Sequence, residues 1–218
     1  MRRFFILGKY NTWYDWRLTV TAKSVPPAEP KTNYITLDGA DGSLDLSEAL
    51  TGEPVYNDRT LTASFMCSEG THTERVALVS RITAALHGRR VQIVEPDDPD
   101  HYFLGRVKLK DVEHHLAYST FNLEAVTEPW RYAANESSRV VTVAEGDTPS
   151  VVIYNSGDKS LCPTIAVDGA VQITTGGTTV ELGTGIHKII DLRLRRGPNV
   201  VAVSGAGTVT FVYREASL

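Results

Sequence analysis

The sequence predicts a mainly β protein in two parts. Residues 1–132 read as an N-terminal β-sandwich or split-barrel-like domain with one α-helix. Residues 133–218 read as an antiparallel β-sandwich of jelly-roll type. Three observations predict this. Apolar and polar residues alternate with a period of two along most of the chain. A single stretch carries helical spacing. Beyond residue 132, short strand-like runs are separated by turn signals at close intervals.

In the first part, Leu18, Val20 and Ala22 alternate with Thr19, Thr21 and Lys23, and Leu61, Ala63 and Phe65 alternate with Thr62 and Ser64. Phe103-Leu104, Val107 and Leu109 lead to Lys110, and Phe121, Leu123, Ala125 and Thr127 follow. Each such run has one face for a core and one for water or a partner. The helix is expected from about Thr73 to His87. Thr71-x-x-Glu74 is a capping-box pattern, Val76, Val79, Ile82 and Leu86 form its apolar stripe, and Gly88 suits a left-handed stop. Arg81, Arg89 and Arg90 fall toward or beyond its C-terminal end, where cations are favourable. Glu95-Pro96-Asp97-Asp98-Pro99-Asp100 reads as a solvated hairpin loop.

The composition shifts at Pro129-Trp130-Arg131-Tyr132, and Ala133 to Ser138 are small and polar. Expected strands then cover 139–145, 150–155, 164–167, 171–174, 178–182, 187–194, 199–204 and 208–213. The intervening turns are assigned to Asn155-Ser156-Gly157-Asp158, Asp168-Gly169, Gly176-Gly177, Gly197-Pro198-Asn199 and Gly205-Ala206-Gly207.

With 218 residues, 42% apolar and 22% charged, the chain is an ordinary globular mix long enough for a sizeable core. The net charge is −4, with −3 in residues 1–132 and −1 in the remainder. Neither part is a basic module, which argues against sequence-specific nucleic-acid binding. Arg2 and Arg3 precede an apolar run, Phe4–Leu7, too short for a secretory core of ~7–15 residues. No stretch reaches the ~18 apolar residues of a membrane helix, so no anchor is expected. Cys67 and Cys162 are expected to be buried small hydrophobes rather than a disulfide framework.

No catalytic constellation is legible. G-x-S-x-G and H-E-x-x-H are absent. Gly205-Ala206-Gly207 starts like a dinucleotide fingerprint, but its sixth position is Thr210. His114 and His115 are adjacent, so on a strand they point to opposite faces, one expected at the surface and one packed. The acidic run at 95–100 lacks the glycine and spacing of a calcium loop. Asn135-Glu136-Ser137 is a glycosylation triplet that matters only in a secretory compartment. Neither catalytic residue, metal site nor cofactor is therefore expected. Trp13, Trp16 and Trp130 all fall in the first part. Trp13, Tyr14 and Trp16 crowd around Asp15 near the start, where tryptophans serve either as core or as interface anchors. The second part has few aromatics, Tyr154, Phe211 and Tyr213, which is poor in the rings that stack on sugars.

The segment from Lys31 to Arg59, KTNYITLDGADGSLDLSEALTGEPVYNDR, closely resembles the distal tail proteins of long, flexible-tailed phages, especially those of Gram-positive hosts. Its most specific piece is Asp41-Gly42-Ser43-Leu44-Asp45-Leu46. Further pieces agree in order: Tyr14-Asp15-Trp16-Arg17-Leu18, Leu86-His87-Gly88-Arg89-Arg90, the run Asp97 to Val107, and Pro129-Trp130-Arg131-Tyr132. The closing GAGTVTFVYREASL resembles the end of that family's second, galectin-like domain.

The resemblance implies a structural, non-enzymatic protein of the virion tail tip, made and assembled in the host bacterial cytoplasm. It implies a ring of six copies with residues 1–132 as the ring-forming tail domain. Its implied partners are further copies of itself, the tail tube protein, the tail-tip hub or tail-associated lysin, the tape measure protein and receptor-binding proteins. DNA would pass through without specific binding. Trp13, Trp16, Asp41, Leu44, Leu46 and Leu50 are the expected interface residues. The three leucines stand in a Gly/Asp-rich stretch with no evident strand or helix to bury them. A carbohydrate-binding module is the alternative reading of the second part.

Overall fold

The computed structural model describes residues 4–218; Arg2 and Arg3 lie outside the described residues. These contain sixteen strands and one helix. They divide into two compact units, the first ending at Arg131 and taking in Leu218, the second spanning Tyr132–Ser217.

The first unit contains β1 (Ile6–Leu7), β2 (Tyr10–Asn11), β3 (Thr19–Ser24), β4 (Tyr34–Thr36), β5 (Ser43–Asp45) and β6 (Arg59–Cys67). These are followed by α1 (His72–Leu86), β7 (Arg90–Glu95), β8 (Asp98–His114) and β9 (Ser119–Ala133), whose last two residues open the second unit. The main sheet runs β2-β1-β7-β8-β9-β6-β3. Its inward residues, among them Leu61, Phe65, Ile93, Phe103, Val107, Phe121 and Leu123, form one core with Val79, Ile82 and Leu86 of α1. Phe65 stacks on Phe121 at 5.4 Å, and Phe5 meets Phe65 edge-on. The strands form where alternation is clean. In β6, for instance, alternate positions from Arg59 to Cys67 are buried.

The helix starts through the expected capping box. Thr71 Oγ1 accepts from the Glu74 N–H, and the Glu74 carboxylate accepts from the Thr71 N–H at 2.7 Å. It ends at His87, and Gly88 takes φ +75°. The buried stripe is Arg75, Val79, Ile82 and Leu86, so Val76 is exposed where the sequence reading had placed it inward. Arg75 gains that position through its partners. Its guanidinium donates to the carbonyls of Gly70 at 2.5 Å, Leu116 at 2.5 Å and His115 at 3.3 Å, tying the helix start to the β8–β9 turn. Arg89 and Arg90 lie past the helix, Arg90 in β7, and its last turn carries no cation.

The acidic run is less loop than expected. Only Pro96-Asp97 turn, and Asp98 to Asp100 belong to β8. Both His114 and His115 are exposed, correcting the expectation that one is packed. The His114 ring meets Ser119 Oγ, and the His115 ring lies against Tyr118.

The second unit contains β10 (Ser137–Val143), β11 (Ser150–Asn155), β12 (Thr164–Thr175), β13 (Thr178–Leu182), β14 (Gly185–Lys188), β15 (Gly197–Tyr213) and β16 (Ala216–Ser217). Three of the expected turns are not turns: Gly197-Pro198-Asn199 opens β15, opposite Asn155, Tyr154 and Ile153 of β11. Asp168-Gly169 lies within β12 and Gly205-Ala206-Gly207 within β15, and the two strands pair antiparallel throughout, Gly169 opposite Gly207 and Val171 opposite Gly205. These three glycines have positive φ. A Cβ on Gly169 would lie 2.2 Å from the Ala206 carbonyl oxygen, and one on Gly207 would lie 2.3 Å from that of Asp168. On one side of these glycines β12 pairs with β14 and β15 with β10; on the other, β12 pairs with β13 and β15 with β11. Both sides bury residues in one core, including Ile165, Ile173, Val203 and Phe211. The glycines thus let one paired ribbon serve both halves of the unit.

The expected strand over 187–194 stops at Lys188. Leu192 and Leu194 are buried from irregular chain, held by paired backbone hydrogen bonds between Leu161 and Leu194. Cys67 is buried, and burial raises its thiol pKa above the ordinary value. Cys162 is only half-buried, contrary to the sequence reading.

Candidate assembly surface

The chain between β3 and β6 leaves the core as a long hairpin arm. Glu29 O accepts from Asn57 N–H at 2.8 Å, Val55 O from Lys31 N–H at 2.7 Å, and Asn33 O from Leu46 N–H at 2.8 Å. The β4–β5 ladder continues the pairing outward, with Tyr34 opposite Asp45, Ile35 opposite Leu44 and Thr36 opposite Ser43. Asp45 then caps the return. Its carboxylate accepts from both the side chain and the N–H of Ser47, which holds its pKa below the ordinary value.

The arm is a backbone construction with no core of its own. From Glu29 to Gly52 every residue is exposed except Leu46 and Ser47, which are half-buried. Directly opposed residues of an antiparallel pair project to the same face. Ile35 (42% exposed) and Leu44 (50% exposed) therefore form one apolar pair open to water. Leu37 is equally bare, and Leu50 is fully exposed. Exposed apolar side chains on an extended hairpin make the arm a candidate interaction surface.

At its root the arm is fixed by Arg59, which is buried against the Phe103 ring at 4.6 Å and reaches the Pro26 carbonyl at 3.4 Å. Burial first, then the neighbouring Arg131 charge, lowers the Arg59 pKa, with Glu95 opposing. Thr127 Oγ1 donates to the Arg59 carbonyl at 3.3 Å, and Tyr56 meets Trp130 edge-on at 5.5 Å.

The six expected interface residues fall on two elements. Asp41 at the tip, Leu44 in β5, and Leu46 and Leu50 on the return belong to the arm. Leu44 thus has a strand that the sequence did not reveal. Trp13 and Trp16 lie in the turn after β2, where Asn11 Oδ1 accepts from the Trp13 and Tyr14 N–H groups and Asp15 Oδ2 accepts from the Asn11 N–H. Trp16 stacks on Tyr10 at 4.8 Å against the core, and the Arg17 guanidinium lies 5.4 Å from the Trp13 ring. Ile35 and Leu37 complete the apolar surface and escaped the sequence reading. The signal available was their position in the same Gly/Asp-rich stretch, flanking Asp38-Gly39.

Among the described residues, no three His, Cys, Asp or Glu side chains converge as metal ligands, and no helix is long and apolar enough to cross a membrane.

The architecture defines a class: a mainly β chain of two compact units, the first of which presents an unpacked apolar hairpin. In its particulars the fold is Dit-like. Over 98% of this chain and 99% of its counterpart it matches the crystal structure of the SPP1 Dit (gp 19.1) protein, with a TM-score of 0.71 and 16% identity; that protein is described as a paradigm of the hub adsorption apparatus in Gram-positive-infecting phages. The phage P2 baseplate in its activated conformation with calcium gives a TM-score of 0.43 at 8% identity, covering 99% of this chain and 98% of the other. The same baseplate with strontium gives 0.43 at 9%, covering 97% and 98%. The chain matches no protein-family model and no curated protein.

Proposed function

We propose that this chain is a distal tail protein, a structural component of the tail tip of a long-tailed phage or prophage. In this reading six copies close into a ring that joins the tail tube to the tail-tip hub and supports receptor-binding proteins. Residues 1–132 form the ring and residues 133–218 form an outward, galectin-like domain. The observation that carries the reading is the arm: an ordered hairpin whose apolar side chains find no cover within their own chain is built to be covered by another. The Dit-like fold over nearly the whole chain supports the same reading. A ring of identical copies needs two different, complementary surfaces on each, and an arm projecting from a packed unit supplies one of them. A net charge of −4 suits a conduit that DNA traverses without being held.

Electron microscopy of the purified chain in negative stain tests the proposal. Rings with a central opening and six-fold symmetry are expected, and dispersed single copies, alone and with co-expressed tail proteins, would contradict it. The alternative, carbohydrate binding, draws on Tyr154, which stands exposed on β11 opposite Pro198 and beside the Val152–Val200 pair. Binding on a glycan array that Tyr154→Ala abolishes would favour it.

A further inference from the structure

A ring that closes through the arm needs a seat for the arm on the next copy. The outer face of β7, β8 and β9 has the chemistry of such a seat. Arg90 lies directly opposite Arg106 in the β7–β8 ladder. Like charges so opposed are unfavourable unless carboxylates join them. Glu128 pairs with Arg90, but the Arg106 guanidinium donates only to the Gly88 carbonyl, and Lys108, exposed one step further along the same face, has no carboxylate partner among the described residues. Between them is a groove of about 370 Å³. Gly105 lines it from the buried side of β8, where a Cβ would sit 2.5 Å from Thr127 Cγ2 and from the Val126 carbonyl oxygen, so β8 and β9 run close together beneath the groove. Its walls include Leu104 and the exposed Val126. Asp58 and Glu128 also line it, against Arg90, Arg106 and Lys108, so the surface keeps a net positive charge and is apolar at its side.

The arm has the complementary chemistry. From Glu29 to Glu53 six carboxylates stand against one cation, Lys31. Asp38 and Asp41 flank Gly39 and Ala40 at the tip, with the bare Leu37 beside Asp38. In its own chain the tip does not occupy the groove, since residues 31–45 are all exposed. From Pro30 to Asp41 an extended chain spans up to about 35 Å, enough to reach beyond its own unit. The groove is sized for a tip of a few side chains rather than a whole hairpin.

We propose, resting on the ring reading, that the groove rimmed by Arg106 and Lys108 seats the acidic, apolar hairpin tip of a second copy. Asp38 and Asp41 meet the two cations, and Leu37 lies against Val126. Light-scattering mass of four folded proteins tests this: the wild type, Arg106→Glu with Lys108→Glu, Asp38→Lys with Asp41→Lys, and the variant carrying all four changes. Circular dichroism verifies that each is folded. The wild type is expected to assemble and to weaken as salt rises. Each double reversal should raise the dissociation constant at least tenfold, and the fourfold variant should recover assembly. If the double reversals keep the wild-type mass, or the fourfold variant fails to recover, the seat lies elsewhere and the ring reading stands. A wild type that stays single at every concentration overturns both. A duplex DNA oligonucleotide retained by the wild type and lost in Arg106→Glu with Lys108→Glu, with mass unchanged, reassigns the groove to phosphate and overturns the seat.

Discussion

Ile35 faces Leu44 directly across the β4–β5 ladder, and neither side chain is covered. Ladder hydrogen bonds give the arm its shape, yet burial contributes almost nothing to it. The pair is therefore available for an interface without cost to the fold. Ile35→Asp with Leu44→Asp is expected to leave the stability of the dilute single chain within about 0.5 kcal/mol, as for other surface changes. Urea denaturation below the assembly concentration measures this. A large loss would mean that the pair is packed within its own chain.

Arg75 holds the start of α1 to the β8–β9 turn through three carbonyls. Arg75→Ala leaves the Gly70, His115 and Leu116 carbonyls without a charged donor and removes the buried Arg75 side chain. Hydrogen bonds to charged groups contribute about 1.5–3 kcal/mol each, and they do not add fully. A destabilisation of about 3 kcal/mol is expected in equilibrium denaturation. Arg75→Lys should recover only part of it, because one ammonium cannot span three acceptors.

Gly169 and Gly207 oppose each other where β12 and β15 cross the bend, each with positive φ and backbone oxygen inside the space of a side chain. Either Gly169→Val or Gly207→Val combines strain with a backbone clash and should cost about 3 kcal/mol or more. Gly39→Ala, at φ +84° with open space around it, carries only the conformational cost and should be milder. Thermal denaturation of the three variants ranks them. Equal losses would show that the bend does not depend on close approach.

The Glu74 carboxylate is held below the ordinary glutamate pKa, first by the Thr71 N–H and then by the Thr71 hydroxyl. A depressed folded-state pKa contributes stability at pH above the unfolded value, near 4.5, and that contribution is lost as pH falls through the folded value. Glu74→Gln keeps a capping acceptor but does not titrate. The stability difference between wild type and Glu74→Gln should shrink as pH drops from 6 toward 3, as read by thermal melts in a pH series. A difference independent of pH would remove the carboxylate from the cap.

What the sequence disclosed followed the regularity of its pattern. The limits of β11 and β13 are those read from alternation, and the helix follows its capping box and Gly88. Periodicity failed where partners decided burial. Arg75 displaces Val76 from the inward stripe because three carbonyls, two of them in the sequence-distant β8–β9 turn, receive its guanidinium. Gly169, Gly205 and Gly207 look like turn glycines because a residue without Cβ serves equally to turn a chain and to let two strands approach. The arm was visible as Gly/Asp-rich chain with stranded leucines, but β4 and β5 are three residues each, too short to register as alternation. Ile35 therefore went unnamed while its ladder partner Leu44 was named. The Arg106 and Lys108 groove could not be read at all, since β7, β8 and β9 bring its residues together only through their pairing.

In the proposed ring the bare arm is covered by another copy. Sedimentation mass of the wild type beside Ile35→Asp with Leu44→Asp tests it most directly. About 143 kDa is expected for the wild type, six copies of a 23.9 kDa chain, and a single-chain mass for the variant. A wild type that remains at 23.9 kDa at every concentration, or a variant that assembles as the wild type does, would contradict it.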